Sequence, residues 1–357
     1  MVDIKTLAFY IKRNCNISDA THWGYYSICS LLLKLRELYL IENKIKPWEK
    51  IDQKEIGEWI SDRENLWKEL ENKDLEDIPL EQNFYNPFDI EKINAELENE
   101  GLIYGAGYGL RMKPSFFLSE LISKEKIGRF DVYVAGEEFS RDLSGYPAML
   151  QDKKIYVRID PTIQLIWGKF EELRLKSSNS ALKFAFSKYG ISPEEEPSED
   201  IYRRIHMIAR SEVETYIYHE LGEAIEEEKV GDKIILSSLS RNKAEIFVRS
   251  VKDILSDTSE NGMLKHIIEN QKEGSLGFYI VFLGGLRKII FPEISDAFHL
   301  FLGTGDWLLI EKARRVGYIK AEGYAERLLS LNKKYNSEKE LMAKYVEEEI
   351  LWKEFSL

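Results

Sequence analysis

One change of period constrains this chain more than any other feature. Apolar residues recur at helical spacing along most of its length, and only between residues 102 and 159 does strand-like alternation replace that spacing. There SFFLSELIS (115–123) and RFDVYVAG (129–136), joined by the polar KEKIG, read as two strands, and KIYVRI (154–159) as a third. The strands are contiguous and do not alternate with helices, which disfavours a parallel α/β sheet. The spacing predicts a predominantly helical α+β protein, a helix bundle packed around a small antiparallel sheet.

Before the strands, helices are expected over 3–14, 18–42, 52–71 and 88–100. Ser18 is the expected N-cap of the second, and Gly101 stands just past the end of the fourth. Helix 18–42 is apolar nearly all round (Ile28, Leu31, Leu32, Leu33, Leu35, Leu38, Leu40), which predicts a place inside the bundle. LIYGAGYG (102–109) reads as a glycine-punctuated turn. After Pro161, helical patterns cover 161–188, 198–228, 241–257, 261–272, 276–290, 306–331 and 338–355. The clearest linker is ISPEEEPSED (191–200), so an N-terminal region 1–190 and an all-helical region 191–357 are expected.

Fifty Lys and Arg against 62 Asp and Glu give a net charge of −12. A general nucleic-acid binder needs a positive surface to displace counterions, so this balance argues against one. Basic residues recur near aromatics only at Arg111, Lys113, Lys124, Lys126 and Arg129, where a winged-helix-like unit over 88–136 would carry its wing. The helix of that unit, FDIEKINAELENE, is acidic and would repel phosphates. Two cysteines, Cys15 and Cys29, are too few for a disulfide framework. The most apolar stretch, Leu276 to Ile290, is interrupted by three glycines, Arg287 and Lys288, and a bilayer span needs about 20 apolar residues. No export signal opens the chain. A cytoplasmic, soluble protein is expected, with a small molecule or another protein as its partner.

Chemistry concentrates in ARSEVETYIYHELGEAIEEE. At helical spacing Glu212, His219 and Glu223 fall on one stripe beside the apolar face, and Glu220 sits deeper. A buried carboxylate must be neutralised, paired or bound to a cation. The i, i+4 pair His219–Glu223 can place an imidazole nitrogen and a carboxylate oxygen on one metal ion. Its spacing is neither the Glu-x-x-His of di-iron helices nor the His-Glu-x-x-His of zincins. In the N-terminal helix His22 and Tyr26 share a stripe, with Asp19 and Glu37 nearby. If that helix faces helix 198–228, His22, His219, Glu223, Glu37 and Glu212 make an oxygen-rich site suited to iron, manganese or zinc. Glu220, left uncoordinated, would act as general base of a metal-dependent enzyme. The competing expectation is a non-catalytic interaction or regulatory protein, its buried acids tied into an ion-pair network.

Three segments together, Asn14-Cys15-x-Ile17-Ser18-Asp19-Ala20-x-His22, Ala106-Gly107-Tyr108-Gly109 and His219-Glu220-x-Gly222-Glu223, resemble an uncharacterised bacterial family along most of the chain. That resemblance implies kinship without an assigned chemistry.

Overall fold

The computed structural model describes residues 3–109, 112–175, 180–230, 243–335 and 338–356. They form two compact units, Met1–Gly168 with Glu196–Val213, and Lys169–Glu195 with Glu214–Leu357.

The first unit opens with α1 (Ile4–His22), capped by Asp3, whose carboxylate accepts the N–H groups of Lys5 and Thr6. It runs unbroken through Ser18, so the expected helix start there is corrected. The Ser18 hydroxyl donates to the Pro114 carbonyl and ties the helix to the sheet. The next cap is Ser27, which accepts the Ser30 N–H and starts α2 (Ile28–Glu42). Nor is α2 buried all round. Its second half packs Leu35 and Leu38 with Ile17, Ala20, Trp67 and Leu70, whereas Ile28 and Leu33 remain 79% and 62% exposed. Leu31 of its first half is partly buried against the same cluster, to which α1 and α3 (Gln53–Leu70) contribute.

A hairpin, β1 (Ile78–Leu80) and β2 (Asn83–Tyr85), follows. Strands of three residues are too short to display a period. After α4 (Ile90–Leu97) the chain turns at Gly101, which takes the left-handed conformation (φ +71°) that favours glycine. Five strands then make one sheet: β3 (Leu102–Tyr108), β4 (Pro114–Ile127), β5 (Phe130–Arg141), β6 (Ala148–Gln151) and β7 (Lys154–Arg158). Their order is β3-β4-β5-β7-β6. Three neighbouring pairs are antiparallel, and β5 pairs with β7 in parallel.

LIYGAGYG, apart from its last glycine, is thus strand β3 and not a turn. Its glycines serve close approach: a Cβ on Gly105 would lie 2.1 Å from the Phe117 ring, and one on Gly107 would lie 1.5 Å from the Gln151 amide. One face of the sheet buries Tyr104, Ala106, Phe116 and Leu118 against Leu7, Ile11 and Cys15 of α1. Two asparagines lock the backbone. Asn14 donates to the Glu76 carbonyl and accepts its N–H, both at 2.8 Å, and Asn94 does the same for Tyr104. Lys113 is buried in ion pairs and lies on no exposed wing, while Arg111 lies outside the described residues.

Between the sheet and the helices that follow, α5 (Ile159–Leu175) continues directly from β7. Sequence 198–228 is two helices, α7 (Glu199–Ser211) and α8 (Val213–Val230), broken at Glu212. The described residues of the second unit are helical apart from connecting turns. They comprise α6 (Ser180–Ser187), α8, α9 (Lys243–Thr258), α10 (Met263–Glu269), α11 (Glu273–Phe282), α12 (Gly285–Ile290), α13 (Pro292–Thr304), the long α14 (Trp307–Tyr335), and a last helical stretch from α15 (Lys339–Tyr345) to Phe355. Phe247, Val251, Ile254 and Leu255 of α9 share a core with Ile310, Ala321 and Leu328 of α14 and with Phe291, Phe298 and Phe301. Among the described residues no helix is long and apolar enough to cross a membrane.

Candidate acid–base site

Two glycines set the geometry of the candidate site. A Cβ on Gly222 of α8 would lie 2.5 Å from the Ser256 carbonyl, and one on Gly262 would lie 2.0 Å from the same oxygen. Without side chains at these positions, the backbone of α8 comes against the end of α9. One turn of α8, His219 to Glu223, is thereby set beside Lys252, Asp253 and Asp257, which occupy one side of α9.

His219 Nδ1 lies 2.7 Å from Asp257 Oδ1, and Asp257 is buried. Its Nε2 is 3.6 Å from Glu223 Oε1, within ion-pair range but beyond hydrogen-bond length. The other Glu223 oxygen is taken by Lys252 Nζ at 2.9 Å. Arg287 of α12 faces Asp253 at 3.5 Å. Glu220 is 7% exposed and has no hydrogen bond or ion pair among the described residues.

These neighbours drive the ionisations apart. Burial pulls the His219 imidazole down, but the Asp257 charge and hydrogen bond, with Glu223 and Glu220, outweigh it and raise it to about 10. Burial, then the adjacent Glu223 charge, pushes the Glu220 carboxyl up to about 7. Burial acts on Glu223 too, yet Lys252 and His219 hold it below the ordinary carboxylate value. Asp253 rises to about 6, through burial opposed by Arg287. At neutral pH the site is a fixed imidazolium, an ionised Glu223 and a Glu220 poised to gain or lose a proton.

Of the residues singled out in the sequence, His219, Glu220 and Glu223 come together in the second unit. His22, Glu37 and Glu212 belong to the first. His22 closes α1 with Nδ1 2.8 Å from the Ser18 carbonyl and its ring against Tyr25. The chain leaves the helix at Trp23, so Tyr26 does not continue the His22 stripe. Glu37 is on α2, 3.8 Å from Arg141. Glu212 is buried at the joint between α7 and α8, off the α8 stripe. Among the described residues no group of three or more His, Cys, Asp or Glu side chains is arranged to hold a metal ion. Around His219, Asp257 and Lys252 already engage the imidazole Nδ1 and one Glu223 oxygen.

Sequence reading missed the α9 side of the site. Asp253 and Asp257 stand i, i+4 on a helix otherwise rich in buried apolar residues, which is the signal that could have found them. It also missed the role of Asp19. This residue lies 2.9 Å from the buried Lys113 ammonium, which Asp142 holds at 2.5 Å from the other side. The Asp19 carboxylate also accepts the Leu143 N–H.

Two family models match the chain. The N-terminal domain of a family of unknown function (DUF6866) matches residues 6–158, and its C-terminal domain matches residues 163–349. Comparison with curated proteins gives no match, and neither does comparison with solved structures.

Proposed function

The chain belongs to the DUF6866 family, whose function is unknown, and we propose that its C-terminal domain is an enzyme that moves a proton at Glu220 beside the His219–Asp257 pair. The observation that carries this reading is a buried carboxyl, raised to about 7, with no hydrogen-bond partner among the described residues. An unpaired buried carboxyl costs stability and suits a group that must change protonation near neutral pH. Asp257 fixes the orientation of the imidazolium ring and stabilises its charge, as carboxylates do for catalytic histidines. The His219 cation then stabilises negative charge that develops next to Glu220. A carboxyl pushed up beside a carboxylate held down is the pattern that separates acid and base roles in one site. Glu220 is the base above its pKa and the acid below it.

One observation favours the non-catalytic alternative: Lys252 sits on Glu223, so part of the cluster is an ion-pair network. Activity separates the two readings. Wild-type protein and Glu220→Gln are to be compared on a panel of small esters, amides and phosphoesters over pH 5–9. Base catalysis predicts turnover that rises through one ionisation near 7 and falls at least about 100-fold in Glu220→Gln. Turnover indifferent to Glu220→Gln, or absent across the panel in the wild type, favours the network.

A further inference from the structure

The first unit contains a cavity of about 710 Å³ that the acid–base site does not use. Its volume lies in the range of small-molecule pockets. It is framed by α1, the end of α2, strands β4 and β5, the start of α5 and one face of α7, all within that unit. Ala8, Leu38, Ile45 and Ile159 give its lining an apolar part.

Arg141, at the end of β5, lines this cavity with a side chain only 4% exposed. Its Nε and Nη1 atoms are buried and have no hydrogen-bond partner. The nearest carboxylates are Glu138 at 3.7 Å and Glu37 at 3.8 Å, close enough for charge but too far for hydrogen bonds. Glu138 instead gives its other oxygen to Arg158, at 2.6 Å, which leaves its Oε2 buried without a hydrogen bond as well. Lys34, another cation near Arg141, is turned to the carbonyls of Leu143 and Ser144. A buried guanidinium whose donors are unmet is costly in a folded protein, and such groups normally find an acceptor.

We infer that this cavity binds a small organic carboxylate, gripped by the Arg141 guanidinium. A carboxylate supplies acceptor oxygens for a guanidinium whose donors have no hydrogen-bond partner in the protein. The surroundings select for charge. Lys5, Lys12 and Lys46 line the same cavity as Glu138 and Asp160, and Glu37 stands near the guanidinium, so the charges there nearly balance and a singly charged anion is accommodated more readily than a doubly charged one. The apolar part of the lining takes the carbon skeleton of the ligand.

Melting temperature in titrations with sodium acetate, sodium butyrate, inorganic phosphate and sodium chloride, at one ionic strength and pH 7, tests this on the full chain. A ligand that binds only the native state raises the melting temperature with a saturable dose response. Acetate or butyrate should give that response in the wild type, beyond chloride and beyond phosphate. The response should weaken at least about tenfold in Arg141→Met. Ala8→Phe adds bulk to the cavity lining with Arg141 left in the sequence and should also remove the response, which keeps the test open if Arg141→Met does not fold. Carboxylates no better than chloride, phosphate saturating first, or a response that survives both substitutions would overturn the assignment.

Discussion

His219 and Asp257, 38 positions apart, meet with Nδ1 and Oδ1 at 2.7 Å because Gly222 lets α8 lie against the backbone of α9. The contact fixes one edge of the imidazole and leaves Nε2 toward Glu223. It also makes the histidine a stable cation, so the group that changes protonation near neutral pH is the carboxyl beside it.

The pair should appear in the pH dependence of stability. The folded pKa of His219, about 10, lies above its unfolded value, so its contribution is complete below about pH 6.5 and is lost as pH rises toward 10. Urea unfolding between pH 6 and 10 should show wild-type stability declining by roughly 3–5 kcal/mol more than that of His219→Gln. Parallel curves for the two proteins would mean that the ring is neutral when folded.

Glu220→Gln should stabilise the protein, and only at higher pH. Here too the folded pKa, about 7, exceeds the unfolded one, so the ionised carboxylate opposes folding once pH passes through that range. Near pH 4.5 the two proteins should be equally stable within error. At pH 8 Glu220→Gln should be more stable by about 3 kcal/mol. Destabilisation at pH 8 would reveal a partner that the carboxylate holds.

Gly222→Ala tests the helix contact itself. The added Cβ meets a backbone carbonyl and not a flexible side chain, so α8 must move away from α9. A loss of about 1–3 kcal/mol is expected, with a lower His219 pKa as Asp257 recedes. An unchanged histidine titration would show that the dyad does not depend on this approach.

In the first unit Lys113→Met should be among the most damaging substitutions. It leaves Asp19 and Asp142 facing each other, buried, without the ammonium between them. Breaking such a buried network by removing one partner costs about 3–5 kcal/mol, measurable by chemical denaturation at pH 7. A loss below about 1 kcal/mol would show that the carboxylates become protonated at little cost.

The fold class could be read from the chain because periodicity is local: each helix face and strand alternation lies within a few residues. What could not be read depends on partners distant in sequence. Ser18 looks like a cap but bonds to the Pro114 carbonyl, and the glycines of LIYGAGYG look like a turn until Phe117 and Gln151 are seen to need their space. The exposed face of α2 has the same origin, since an apolar helix reads as buried whether or not neighbours reach its whole length. In the candidate site, the turn His219–Glu223 announced itself by its acids around a histidine. Asp257 and Lys252, which set its ionisation, belong to another helix, and only the folded chain brings them there.

The most direct test is the titration of Glu220 itself, followed through its carboxyl carbon by NMR and assigned by its loss in Glu220→Gln. A midpoint near 7 is expected in the wild type, moving higher in His219→Gln, where the neighbouring cation is gone. A midpoint in the ordinary glutamate range, unmoved by His219→Gln, would contradict that expectation.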